Sequence, residues 1–159
     1  MERESALITE YNLNEHPEGG WFSECYTSSD QVRGRALAGS IYFLLRHGEV
    51  SHFHQIDCDE VWYYHEGCGM RITVIKDSSW EEYQLGSNIK NGERAMVVIP
   101  KGSVFAAVNL EDTGYTFVSC MTTPKFTYEG FRLVYEKEIR VKYPHIPEEL
   151  LYLASKNED

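Results

Sequence analysis

Gly48-Glu49-Val50-Ser51-His52-Phe53-His54-Gln55-Ile56-Asp57-Cys58-Asp59-Glu60-Val61-Trp62-Tyr63-Tyr64-His65-Glu66-Gly67 concentrates more ligands and bases than any other stretch of the chain. His52 and His54 are two apart, so on a β-strand they project from one face, where two imidazoles converge on a metal ion or a substrate. Glu60 follows a short polar break and opens a second strand-like run, so a hairpin brings its carboxylate back beside the two rings. Two strands in succession, with no helix between them, point to a β fold.

The flanking sequence extends the same reading. Upstream, Trp21 to Ser28 alternates as a strand, with Phe22, Glu24 and Tyr26 on one face. Leu37 to Arg46 is another strand, whose nearly continuous apolar run Ile41 to Leu45 suits a strand covered on both faces. Residues 28–34 read as a surface loop between these two strands. Downstream, strands are expected over Met70 to Lys76, Trp80 to Leu85, Arg94 to Ile99, Val104 to Asn109 and Tyr115 to Thr122, separated by turn residues such as Asn91-Gly92 and Pro100-Lys101-Gly102. Many short strands at regular spacing indicate an all-β sandwich or barrel, and a barrel gives the polar candidates an interior to face.

Helical patterns occur only at the ends. Leu7, Ile8 and Tyr11 place an amphipathic helix within residues 2–12, ended by His16-Pro17-Glu18-Gly19-Gly20, where Pro17 stops the ladder and the paired glycines allow a tight turn. Leu133 to Tyr143 and Pro147 to Ala154 read as helices, and the tail 155–159 is expected to fray. The whole is one domain, residues 1–159, with a barrel core of about 21–122 and a C-terminal helical segment of about 131–155.

Composition narrows the function class. A chain of 159 residues with 42% hydrophobic and 13% aromatic residues is globular, and its net charge of -10 repels phosphate backbones and anionic lipids. Nucleic acid and membrane are therefore not expected partners, and a small molecule is. Cys25, Cys58, Cys68 and Cys120 match no CxxC pattern and read as free thiols. The sequence shows no leader or membrane-spanning run, which makes the cytoplasm the expected location.

His52-Phe53-His54, Glu60 and Gly67 resemble the first motif of the cupin superfamily, and Gly92, Pro100-Lys101-Gly102 and Asn109 resemble the second. Phe105 stands where that second motif has a histidine. His16 to Gly20, Glu24-Cys25-Tyr26, Ile41 to Leu45, Asp59-Glu60-Val61-Trp62, Leu85-Gly86, Val98 to Gly102 and Pro124-Lys125-Phe126 are similar to the uncharacterised cupin type 5 family, a domain of unknown function. That resemblance implies a small cupin jelly-roll barrel with short N- and C-terminal helices, a homodimer and a pocket of undetermined substrate. Its barrel is similar to those of sugar-nucleotide epimerases, germins and auxin-binding proteins. Against the family pattern, Ser23 and Gln55 replace arginines, Met96 a glutamine and Phe105 a tryptophan, which removes positive charge and hydrogen-bonding capacity from pocket positions.

Three functional readings follow. In the first, His54 and Glu60 form an acid/base pair with Tyr26 as a proton donor, suited to an isomerase or epimerase of a carbonyl or sugar-like metabolite. Glu24, Tyr42, Trp62, Tyr64, Met96 and Phe105 are the candidate pocket walls, and a Glu24 set among aromatics would have a raised pKa. In the second, His52, His54 and Glu60 hold a divalent metal (Fe, Mn, Ni or Zn) in a two-histidine, one-carboxylate set serving an oxygenase or lyase. In the third, the barrel binds a ligand without turning it over. Of the other histidines, His47, His65 and His145 read as structural or solvated, and His16 as a rim candidate.

Overall fold

The structure, a computed structural model, describes residues 2–156, so the last three residues of the predicted fraying tail lie outside it. Two antiparallel sheets face each other. The six-stranded sheet orders its strands Asn14–Glu15, Trp21–Thr27, Gly39–Leu45, Thr116–Thr123, Asp59–Gly67 and Met96–Ile99. The five-stranded sheet runs Phe131–Leu133, Val50–Ile56, Val104–Asn109, Met70–Ile75 and Trp80–Leu85. This is a jelly-roll barrel.

Alternation along each strand divides the apolar residues among three packed layers. Phe43, Leu45, Trp62, Ile72, Ile99, Phe105 and Val118 meet between the sheets. On the outer side of the five-stranded sheet, Phe53, Val104 and Ala106 pack under Ile139, Leu150, Leu151 and Leu153 of the C-terminal segment. On the outer side of the other sheet, the N-terminal helix Arg3–Glu10 buries Leu7 against Leu44 and Phe117. Strand Gly39–Leu45 thus sends Phe43 and Leu45 inward and Leu44 outward under a helix, which explains its continuous apolar run.

Three sequence expectations need correction. The predicted loop at 28–34 contains half of a small hairpin, Gln31–Val32 paired with Arg35–Ala36. The helix predicted from Leu133 is a strand over Phe131–Leu133 followed by a helix over Glu136–Lys142, because these first residues complete the edge of the five-stranded sheet beside Val50–Ile56. Pro147 does precede a helical segment, but Glu148–Leu153 is a 3-10 helix, whose tighter winding still buries Leu150, Leu151 and Leu153. Among the described residues, no helix is long and apolar enough to cross a membrane.

Candidate functional site

Two β-bulges decide which side chains enter the barrel. Opposite Val104–Asn109, Phe105 pairs with His54 and Ala107 with Ser51, so His52 and Phe53 together face the single residue Ala106. The extra residue breaks the alternation. Ser51 and His54, three apart, consequently point into the barrel together, while Phe53 goes to the outer layer. In strand Trp21–Thr27, Glu24 pairs with Ile41 and Tyr26 with Ser40, leaving Cys25 as the extra residue.

The turn His16–Gly20 supplies the partner that Ser51 and His54 share. Gly19 and Gly20 have φ of 112° and 81°, and a Cβ on Gly19 would lie 2.0 Å from the Val50 carbonyl oxygen, so only glycine lets the turn press this closely on the strand. The His52 backbone N–H and its ring Nδ1 both donate to the Glu18 carbonyl, at 2.8 and 2.9 Å. Held there, Glu18 extends its carboxylate into the barrel. Ser51 Oγ donates to its Oε2 at 2.6 Å, and His54 Nε2 lies 2.8 Å from the same oxygen.

The proton positions on both inner histidines follow from their partners. His54 Nδ1 donates to the His52 carbonyl at 2.7 Å, so a second proton on Nε2 makes the ring an imidazolium against the Glu18 carboxylate. Burial disfavours the charged ring, but Glu18 more than offsets it and raises the His54 pKa. Burial likewise pushes Glu18 up, yet the charge of His54 and the hydrogen bonds from His54 and Ser51 hold it down at about 2. His16 Nδ1 accepts the Glu18 backbone N–H at 3.1 Å, so this ring is neutral and its 3.4 Å approach to Glu18 Oε1 is not an ion pair. Burial lowers its pKa in agreement, among the rings of Phe22, Phe126 and Phe131.

Glu60 lies in the same cavity with a different partner. Trp62 Nε1 donates to its Oε1 at 2.7 Å. Its other oxygen has no hydrogen-bond partner among the described residues, although Glu60 is 92% buried by its 8% exposure. Burial, with the negative charge of Glu18 added, pushes its carboxyl up to about 7 against the opposing pull of His54 and Trp62. The cavity holds about 50 Å³ and is walled by Phe22, Ile41, Ile56 and Phe126. At its mouth Lys125 Nζ lies 3.4 Å from Glu24 and donates to Thr27 Oγ1 at 3.0 Å.

The candidate residues are thus only partly brought together. His54 and Glu60 both line the cavity, but no hydrogen bond joins them: the carboxylate that pairs with His54 is Glu18, and Glu60 adds only a minor charge effect. Trp62 and Phe105 are fully buried behind the site, with the Phe105 ring 4.3 Å from that of His54. Tyr64 shares their inward face but donates to the Gly67 carbonyl. Glu24 lies at the mouth of the cavity, largely exposed and paired with Lys125, instead of being enclosed by aromatics. Tyr26 is turned out by the bulge and is 55% exposed. Tyr42 faces outward, stacked on Phe117 beneath the N-terminal helix, and Met96 is exposed on an edge strand. Tyr26, Tyr42 and Met96 each lie on the opposite face from the one a pocket role requires.

The metal reading does not fit this donor set. His52 lies against the His16–Gly20 turn, in a separate groove beside Gly19 and Trp21, and does not line the cavity that holds His54 and Glu60. Both His54 nitrogens are engaged, one by a carbonyl and one by Glu18, and Phe105 fills the position of a further histidine. Among the described residues, no three His, Cys, Asp or Glu side chains gather in ligating geometry.

The shifted carboxyl and imidazole groups set the pH dependence of stability. Glu60 binds its proton more tightly folded than unfolded, so its contribution is full below about 4.5 and is lost as pH rises through about 7, a ceiling of about 3 kcal/mol. His54 acts in the same sense, being raised above 6.5. Glu18 acts oppositely, its contribution being present above about 4.5 and lost as pH falls through about 2. The combined contribution of these three groups is therefore expected to peak near pH 4.5 and to decline as pH rises toward 7. Thermal unfolding should show a smaller decline toward alkaline pH in Glu60→Gln than in the wild type; an equal decline would contradict the assignment to Glu60.

Known proteins share both the sequence and this fold. The family model described as Cupin superfamily (DUF985) matches residues 5–134. A crystal structure of a Shewanella oneidensis protein superposes with a TM-score of 0.92 at 34% identity, covering 99% of this chain and all of that one. An uncharacterized protein of Saccharomyces cerevisiae is 27% identical over 93% of this chain and 83% of its own length. A Bacillus subtilis oxalate decarboxylase, at 18% identity and a TM-score of 0.58, shares the fold alone, with 91% of this chain spanning 38% of that one.

Proposed function

The chain belongs to the DUF985 family of the cupin superfamily, and from that premise we propose that its barrel binds a small carbonyl-containing or sugar-like metabolite and moves a proton on it, as an isomerase or epimerase does. One observation carries this reading: a carboxyl group, Glu60, enters a narrow and largely apolar cavity with one oxygen fixed by Trp62 and the other free for a ligand. The first oxygen sets its orientation, and the second is placed to take or return a proton. A group titrating near 7 serves as acid and base in one cycle.

The imidazolium of His54 supplies the electrostatic complement. Abstraction of a proton beside a carbonyl puts negative charge on the carbonyl oxygen, and a fixed positive ring in a largely apolar cavity stabilises that charge. Glu18 and Ser51 keep the ring charged and oriented, which makes them positioning residues. Phe105 and Trp62 exclude water from behind the pair. A screen of small aldehydes, ketones and sugars in heavy water tests the proposal. Deuterium is expected to enter the carbon beside the carbonyl of at least one compound, catalysed by the wild type; a screen without catalysed exchange would leave ligand binding without chemistry.

We also propose a homodimer. Tyr63, Met96 and Val98 are 37%, 51% and 47% exposed on the outer face of the six-stranded sheet, where Met96 pairs directly with Tyr63. Sedimentation equilibrium should find a dimer that Val98→Glu dissociates, and a monomeric wild type would refute the assignment.

A further inference from the structure

The charges around the cavity are unequal in number and in how they are satisfied. Three carboxyl groups line it, Glu18, Glu24 and Glu60, against two cations, His54 and Lys125. Both cations are already paired, His54 with Glu18 at 2.8 Å and Lys125 with Glu24 at 3.4 Å. The remaining carboxyl, Glu60, has only the neutral Trp62 Nε1 as partner and leaves one oxygen open to the cavity. Among the described residues, an incoming anion would find no free cation to receive it. An incoming cation would find an unpaired carboxylate.

The walls are consistent with that charge. Phe22, Phe126 and Tyr128 line the cavity, and aromatic faces attract a positive charge while covering its apolar body. A net charge of -10 draws cations toward the protein and repels anions. The volume of about 50 Å³ limits the enclosed part to a small group.

Resting on the reading of this cavity as a ligand site, we infer that it takes a small organic cation, an ammonium or amidinium group whose positive charge completes Glu60. The cation would sit on Glu60 Oε2, with its apolar part against Phe22 and Phe126. Binding would favour the ionised carboxylate, and so release a proton from Glu60 at neutral pH.

Other titrating groups near Glu60 do not reverse this dependence. Burial pushes the Cys58 thiol up to about 12 and the Cys120 thiol well above its ordinary value, so both remain neutral. Glu18 stays ionised, and any loss of the His54 proton at higher pH also favours a cation.

Acetamidinium, acetamide and acetate provide cationic, neutral and anionic probes of nearly one shape. Each would be titrated into protein carrying labelled isoleucine methyls, with Ile41 and Ile56 reporting from the cavity wall. Acetamidinium is expected to shift both methyls and to bind about tenfold more tightly near pH 8 than near pH 6, following the ionisation of Glu60. Glu60→Gln should weaken it by about tenfold or more near pH 8 and flatten the pH dependence. The wild-type pH dependence carries the test alone should that variant fail to fold. Stronger binding of acetate or acetamide would overturn the charge assignment and leave the ligand site standing. No response to any of the three would overturn both.

Discussion

Glu18→Ala is expected to destabilise the protein by about 3–5 kcal/mol, because it removes one member of a buried ion pair and leaves the other without compensation. The carboxylate accepts from Ser51 and faces the His54 imidazolium, and both partners are at most 3% exposed. Alanine supplies neither the charge nor the acceptor. His54 would respond by losing its Nε2 proton, since burial alone disfavours the charged ring, and Ser51 would be left with an unpaired hydroxyl. Glu18→Gln should cost less, because an amide oxygen still accepts from Ser51. Denaturant unfolding near neutral pH measures both. A cost below about 1 kcal/mol for the alanine variant would show that the pair does not hold the site together.

Glu60→Gln should reduce any proton-transfer activity of the barrel by about 10²–10⁴-fold, the range lost when a positioned general acid or base is removed. Glutamine has nearly the same shape and can still accept from Trp62 Nε1, so the cavity and its walls remain. What disappears is the ability to take and return a proton. Loss should appear mainly in kcat when ligand contacts are kept, and heavy-water exchange should fall in parallel. Retention of at least a tenth of wild-type exchange would move the acid/base role away from Glu60. His54→Phe distinguishes a charge-stabilising ring from a structural one: it should lower exchange while leaving Glu60 able to titrate.

The strand pattern was readable because inward and outward residues alternate and both faces of the central strands are apolar. Glu60, Trp62 and Tyr64 share a face with a two-residue period, and Phe22 and Glu24 share one as predicted. The same arithmetic fails where one residue is inserted. The bulge at Cys25 turns Tyr26 outward, and the bulge at His52 and Phe53 joins Ser51, instead of His52, with His54. A bulge leaves little mark on composition, so a pairing drawn from His-x-His had no local sign of its error. Glu18 went unrecognised for another reason, since it lies in a turn that the sequence shows without its direction. The signal available was Gly19-Gly20, whose positive φ permits contact with strand Val50–Ile56 and so aims the preceding side chain inward.

One carboxyl is expected to change charge inside the barrel at neutral pH, opposite a charged His54 locked to Glu18. Carboxyl carbon NMR of protein labelled at glutamate, titrated alongside Glu60→Gln, measures this directly. One resonance should titrate at about 7 and be missing from the variant, while that of Glu18 stays ionised down to about 2. A Glu60 resonance that titrates below about 5, in the ordinary carboxylate range, would contradict the assignment of proton transfer to this group.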